Sequence, residues 1–493
     1  MFKVIETIGG EIPKALAFFI IAVGFAALSA QILLPLSEFE TDFFSDHVST
    51  FSGRPTSIKN VQYSWTGWTP TLTAQELDIL DKKNGTSLIH FPIVKIEISF
   101  IQSLIKRELI LKSITFDKLD ISLVRDERGK ISVLGMPPPR FPIFNWLLSQ
   151  KRFSLIDVTL QIQDKTAQQS IIFTNLTATS FHGGDHQIYG SAKLPEELGQ
   201  NFDFSMKSNS TIANGIQNGE ILVRAEKLDI RKLLSMFKQP LEIDQAQIVD
   251  LEGKSIWENS NLSTFDFAVR GDPLISGYPK AMNVKGRISQ LDSIWRLNIS
   301  RMSIPQISSA QIENAINVTW KRNRLFNKEI EFSAKRFDMA IATYLARLSA
   351  DIPLNIKKML EQIGPSGSIE NITARYQPDH PDSAFVATLG VKNLSTAGNN
   401  KYPALKDFSA MAKISLSEGE LTLLKTDFTL GGHHHLANPL AFKALEGSIV
   451  WQKNKNGNWD MSVSDVSGEL NGSAFRISGQ YKDILANEAY LNI

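Results

Sequence analysis

Downstream of residue 40 the dominant period of the chain is two. In FPIVKIEISF the residues Val94, Ile96, Ile98 and Phe100 alternate with Ile93, Lys95, Glu97 and Ser99. KLDISLVRD sets Leu119, Ile121 and Leu123 against Asp120 and Ser122. SLIDVTLQIQD sets Ile156, Val158, Leu160 and Ile162 against Asp157, Thr159, Gln161 and Gln163. The rhythm returns at Phe265, Phe267 and Val269, at Leu297 and Ile299, and at Ile414, Leu416, Leu421 and Leu423. Strands of this kind carry one apolar and one polar face. Turn signals separate them: Asn84-Gly85, Arg128-Gly129, Gly183-Gly184, Glu252-Gly253, Ser417-Glu418-Gly419 and Asn456-Gly457. These predict hairpins between antiparallel neighbours. Short helices are expected over 101–108, 143–151, 228–237, 338–349 and 353–363. Pro137-Pro138-Pro139 with Pro142 reads as a stiff boundary.

The pattern poses a physical problem. Roughly two dozen strands at about 4.8 Å each would form a continuous sheet on the order of 110 Å wide. Twisted open sheets of more than about ten strands curl or split, and the expected helices are too few to cover the apolar face. Either the sheet folds onto itself as a sandwich, or it curls into a trough whose apolar inside faces something other than protein.

The N-terminus changes the picture. Residues 15–37 (ALAFFIIAVGFAALSAQILLPLS) carry no charge, and as a helix they span about 34 Å at 1.5 Å per residue. Lys3 and Lys14 precede the run; Glu38, Glu40, Asp42 and Asp46 follow it. That asymmetry predicts a single-pass anchor with residues 1–14 in the cytoplasm and the bulk across the membrane. A cleaved signal peptide is the competing reading, with small residues at Ala26-Ala27-Leu28-Ser29-Ala30. Leu28 fits badly at position −3 for cleavage after Ala30, and the apolar run continues through Ile32-Leu33-Leu34. An uncleaved anchor is therefore expected.

Composition excludes more than it selects. Lys+Arg 52 against Asp+Glu 51 leaves no basic surplus, which argues against nucleic acid. Cysteine is absent, so disulfides and thiolate metal sites are excluded. His433-His434-His435 is the most tempting metal candidate, but adjacent strand residues point to opposite faces and converge poorly. It reads as a polar turn or strand end. Asp126-Glu127 between Arg125 and Arg128 reads as a solvated hairpin tip. No phosphate loop, Gly-x-Ser-x-Gly or metalloprotease His pair is present. No enzyme activity, cofactor or metal is expected. The amphipathic stretch 338–363, broken by Pro353, reads as helix packed over a sheet rather than as a membrane-surface helix.

Residues 52–135 resemble the AsmA-type N-terminal module. The shared features are Gly53-Arg54-Pro55, an aromatic residue before a short loop with proline, an acidic-apolar strand, and the run from Leu109 to Gly129. The later segments GPSGSIENITARYQ (364–377), 402–430 and 439–480 are similar to YhdP-like proteins. The resemblance implies a Gram-negative envelope protein with a mainly β fold: a transmembrane helix, then a long, twisted, curled antiparallel sheet forming an open apolar groove. The implied organisation is residues 1–14 cytoplasmic, 15–37 anchor, 38–140 AsmA-like module and 141–493 elongated β-groove region. Ending at EAYLNI, shorter than full-length members, the chain is expected to be incomplete at its C-terminus.

The resemblance also implies partners and function. The partners are phospholipid acyl chains, the inner membrane, and outer-membrane or envelope proteins. The function is phospholipid transport between inner and outer membranes. Val94, Ile96, Ile98, Leu119, Ile121, Leu123, Val158, Leu160 and Ile162 are then the expected groove-lining residues. The alternative is an envelope scaffold or outer-membrane protein assembly factor of the TamB-like kind, pairing by its sheet edge. Trp65, Gly67, Trp68 and Pro70 lie between two strands about thirty residues past the anchor. They are read first as a membrane-proximal corner whose rings close the end of the sheet, with contact to the membrane interface as the alternative, rather than as a sugar platform.

Overall fold

A computed structural model describes residues 41–492, except 82–84, 109, 126–130, 134–149, 165–168, 183–184, 210–217, 237–246, 260, 274–281, 305–311, 323–327, 349–353, 378–383, 399–402, 432–437, 456 and 483–489. The expected anchor, the proline run, most of the helix expected over 143–151, the Arg128-Gly129 and Gly183-Gly184 turns, Asp126-Glu127 and the three consecutive histidines lie outside the described residues. No described helix is long and apolar enough to cross a membrane. The chain divides into two compact units, Met1–Ile221 and Leu222–Ile493.

The first unit opens with α1 (Thr41–Ser52) and is otherwise nearly all strand. Its strands are β1 (Thr56–Thr66), β2 (Thr69–Leu80), β3 (Ser87–Ile98), β4 (Leu111–Asp117) and β5 (Asp120–Arg125). β6 (Ile131–Val133), β7 (Arg152–Asp164), β8 (Gln169–His182), β9 (His186–Lys193) and β10 (Asn201–Ser208) follow. Successive strands from β1 to β4 and from β7 to β10 pair antiparallel. One connection departs from the expected hairpin meander. β4 and β5 are two halves of one bent strand, and β7 lies parallel to both, with Phe116 beside Leu155 and Ile121 beside Leu160. β6 takes the hairpin position on β5, so the returning chain fills the other edge in the opposite sense. The sheet therefore runs across the boundary expected at residue 140.

Between β3 and β4 sits α2 (Phe100–Lys106), which ends where Arg107 turns left-handed and its N–H bonds Ser103 O. The second unit carries β11 (Gly219–Asp229, entering from the first), α3 (Ile230–Met236), β12 (Gln247–Glu258), β13 (Asn261–Pro273), β14 (Met282–Leu291) and β15 (Ile294–Ser303). Next come β16 (Ile312–Arg322), β17 (Lys328–Asp338), α4 (Met339–Leu348), α5 (Leu354–Ile363), β18 (Ser366–Tyr376) and β19 (Phe385–Thr396). The last are β20 (Ala404–Ser415), β21 (Glu418–Gly431), β22 (Leu440–Lys453), β23 (Trp459–Leu470), β24 (Ser473–Lys482) and β25 (Tyr490–Asn492). Every successive pair from β12 to β25 is antiparallel. The protein is mainly β with few, short helices, as the period of two predicts.

Two helix starts, of α3 and α4, are fixed by acidic caps. Asp229 Oδ1 accepts from Lys232 N–H and Asp338 Oδ1 from Ala340 N–H, which satisfies donors left open at a first turn. Asp338 thus closes β17 rather than opening the helix. α4 lies over the sheet, with Ile341 and Tyr344 fully buried against Met302, Ile304, Ala334 and Phe337. α5 is mostly exposed, Leu354 included.

One predicted turn, Glu252-Gly253, is not a turn: Gly253 sits inside β12. The hairpin expected at Ser417-Glu418-Gly419 is present, with Leu416 and Ser417 between the strands and Gly419 already in β21. A Cβ at Gly253 or Gly419 would strike an aromatic ring, that of Phe265 at 2.7 Å or that of Trp451. These glycines seat rings from the neighbouring strand.

A recurrent device bends the strands. Glu76, Asp157, Asn175, Lys227, Asn371, Asn393, Asp407, Lys425, Ala444 and Asp465 all have positive φ inside strands. Register shifts fall at most of these sites, for example between Leu155 and Val158 and between Leu423 and Thr426. Where the register shifts, as at Asp157, Asn175, Asn371, Asn393, Asp407, Lys425, Ala444 and Asp465, the residue forms a β-bulge, which adds one residue, bends the strand and raises its twist; at Glu76 the register continues unbroken. The following residue points into the core: Leu77, Val158, Leu176, Leu445 and Val466 are all buried. The next is Asp, Ser, Thr or Glu, and several of these satisfy a neighbour's bulge. Ser409 Oγ accepts from Asn393 N–H (3.0 Å), Ser395 Oγ from Asp407 N–H (2.9 Å), and Asp427 Oδ1 from Ala444 N–H (2.6 Å). The Asp157 bulge also inverts the predicted alternation. Leu155 joins the core and Ile156 is 43% exposed.

If these acceptors hold the bulges, Ser395→Ala and Ser409→Ala should each cost about 1 kcal/mol. A shift of the denaturant midpoint with unchanged slope would register it; an unmoved midpoint would contradict the role.

Candidate functional site

The two-residue turn Gly67-Trp68 closes the β1–β2 hairpin, and Gly67 supplies the positive φ (59°) that such turns need at their first position. Trp65 faces Pro70 across the pair. One strand over, Leu72 is in register with Ile96 and Ala74 with Val94; one further, Ile96 faces Ile114. These apolar positions fall on one face because the register keeps the period of two across three strands.

α1 lies over that face. Phe44 packs on Tyr63 at 6.1 Å between ring centroids, Ser45 Oγ bonds the Thr56 carbonyl, and Thr56 N–H donates to Ser49 Oγ (2.9 Å). Helix and sheet do not close completely. Between them is a cavity of about 400 Å³, lined by Phe44, Val48, Ile58, Val61, Tyr63, Trp65, Pro70, Leu72, Val94, Ile96, Ile98 and Leu111 among others. Its surface is almost wholly apolar, and its size lies in the range of small-molecule pockets. Burial raises the Tyr63 pKa above the usual tyrosine value, so no charge faces the cavity from that ring at neutral pH.

Of the expected groove-lining residues, Val94, Ile96 and Ile98 share this cavity. The next stretch of the face holds Leu119 and Val158, buried, with Ile121 and Leu160 packed against them. Phe91 and Phe116, 5.5 Å apart, belong to both clusters and join them. Leu123 and Ile162 are side by side in the parallel β5–β7 register, but at this end of β5 the buried residue is Val124. The two tryptophans separate. Trp65 lines the cavity and meets Phe100 edge-on at 5.6 Å, whereas Trp68 is 51% exposed at the hairpin tip. The ring expected to help close the sheet end projects from it instead.

In the second unit, Ala410, Leu423, Leu445 and Val466 form a buried row flanked by Phe408, Phe428, Phe442 and Phe475. Phe428 stacks on Phe442 at 4.7 Å and meets Phe408 edge-on at 5.2 Å. No described helix belongs to this cluster. A larger depression, about 550 Å³, lies over β16 to β19 and is lined by Asn317, Thr319, Glu331, Ser333, Thr373, Arg375 and Thr388. It is open and of mixed character, with Phe332, Ala374 and Val386 also in its lining. Sequence reasoning missed the bulge positions that shape the apolar faces. Their signal is a polar residue, a large apolar residue, then Asp, Ser or Thr, as in Asn393-Leu394-Ser395 and Asp465-Val466-Ser467.

At the β8–β9 turn His182 and His186 stack, 4.0 Å between centroids. His186 is buried, and neither of its ring nitrogens has a hydrogen-bond partner. Among the described residues no group of three metal-ligating side chains gathers. The family model described as YhdP protein matches residues 2–493. No curated protein and no solved structure matches the chain.

Burial first, and then the adjacent His182, hold the His186 pKa below its ordinary value. The unfolded chain gains this proton at about pH 6.5, so stability is complete above that and falls as pH drops through it toward the folded pKa. Thermal midpoints should therefore decline from about pH 7 to about pH 5, and less steeply in His186→Phe. Equal slopes in the two proteins would contradict this.

Proposed function

We propose that this chain, which belongs to the YhdP family, is a periplasmic protein anchored in the inner membrane by residues 15–37 and presenting apolar sheet faces to phospholipid acyl chains moving between inner and outer membranes. The observation that carries the reading is the cavity under α1: open, nearly all apolar and, among the described residues, not filled by side chains. An empty apolar space in a folded protein forfeits packing, and a hydrocarbon chain would restore it. The aromatic row in the second unit, without a helix in its cluster, offers the same kind of surface.

Conduction on such a face needs no chemistry. An acyl chain moved through water exposes CH₂ groups at about 0.8 kcal/mol each. Sliding between equivalent apolar positions changes that exposure little. The bulges help by curving each strand around its buried residue, so that neighbouring apolar positions converge. No catalytic step, metal or cofactor has a part in this proposal.

Val94→Trp, which fills the cavity, and Ile96→Asp and Ile121→Asp, which place a carboxylate on the face, should each reduce bound phospholipid per chain several-fold. Circular dichroism establishes that each variant is folded before lipid is measured. Folded variants that keep their full lipid complement would refute the proposal and favour a scaffold role.

A further inference from the structure

We propose that α2 and the β1–β2 hairpin tip form a docking surface for an anionic phospholipid bilayer. No residue of α2 is buried. Ile101, Leu104 and Ile105 are 48%, 46% and 68% exposed, and their spacing puts them on one side of the helix. A soluble helix turns such a stripe toward its sheet; this one turns it outward. Trp68, 51% exposed, adds an indole of the kind that favours the headgroup zone.

Cations surround the stripe. Lys106 and Arg107 end the helix. Lys112 Nζ bonds Thr69 Oγ1 at 3.2 Å, which ties β4 to the hairpin tip. Lys151 Nζ bonds Gln102 Oε1 at 2.8 Å, which ties the start of β7 to α2. The helix itself has no acidic residue; of the two glutamates beside it, Glu108 is exposed after Arg107, and Glu97 is engaged by Lys95 (3.6 Å) and Lys112 (3.9 Å). An outward apolar stripe with Lys106, Arg107, Lys112 and Lys151 around it and, among the described residues, one unengaged carboxylate matches an interfacial segment on anionic lipid. A helix about 10 Å long is too small to supply the roughly 800 Å² per partner of a stable protein interface, yet long enough for shallow insertion.

The surface is continuous with the cavity. Trp65, which lines the cavity, rests on Phe100 in the first turn of α2, and Ile98 lines the cavity one residue before the helix cap. Docking would bring the cavity mouth to the leaflet that supplies acyl chains. This deepens the lipid-groove reading and rests on it for its purpose, though not for its geometry.

The chain has no cysteine, so a single introduced thiol labels uniquely. Full-length Ile105→Cys carrying an environment-sensitive fluorophore is reconstituted in vesicles of phosphatidylcholine with or without phosphatidylglycerol. With phosphatidylglycerol present, the probe should shift to the blue, and doxyl-labelled lipid should quench it about twofold or more. Lys112→Glu with Lys151→Glu should abolish that quenching, and a probe at the exposed Leu424→Cys should show none. A water-exposed Ile105 probe in both vesicle types would overturn the proposal. So would shielding seen only in native membranes, which would assign the stripe to a protein partner. Phospholipid per chain, measured on the same samples, separates a failure of docking from a failure of the groove: lipid retained with an exposed probe rejects docking alone.

Discussion

A sheet with one apolar face is stable in water only when that face is covered. In the first unit α1 covers part of it, through Phe44 and Val48. In the second, α4 covers another part with Ile341 and Tyr344. Elsewhere the strands provide their own cover by bending. Each mid-strand bulge inserts a residue at positive φ, tightens the twist and turns the next side chain inward. A non-glycine residue in that conformation costs about 1 kcal/mol. Burial of the following side chain and the bond from a neighbouring serine or aspartate to the freed N–H offset it. The Asn393–Ser409 and Asp407–Ser395 bonds run reciprocally between β19 and β20, so each strand holds its neighbour's bulge.

This division of labour explains why the apolar faces are curved and incompletely filled rather than closed into a dry sandwich. Where side chains meet tightly, as around Tyr344, the face is core. Where α1 leaves space above Leu72, Val94 and Ile96, the face lines an apolar cavity, the feature on which the proposed lipid binding rests. Trp65 and Phe100 stand at the passage from that space to the exposed side of α2.

The strands were legible from the sequence because half-buried strands enforce a period of two, and register carried Val94, Ile96 and Ile98 to one cavity. The bulges were not. Positive φ at Asp157, Asn175 or Lys425 is taken by ordinary polar residues, with no glycine to mark it, so the strict alternation placed Ile156 on the wrong face. Gly253 misled in the opposite way: it marks a seat for Phe265 rather than a turn. The parallel pairing of β7 depends on which edge the chain returns to, a tertiary choice that local pattern does not encode. Trp65 and Trp68 differ in fate because the two-residue turn falls between Thr66 and Thr69, leaving Trp65 in the strand and Trp68 at the tip.

The proposed role requires hydrocarbon on the apolar faces. The most direct test is to purify the full-length protein from membranes in a detergent unlike any phospholipid, extract it with organic solvent and quantify phospholipid by mass spectrometry. The account predicts phospholipid retained in defined proportion to protein, and lost when Val94→Trp fills the cavity. Protein that is folded and free of phospholipid would contradict it.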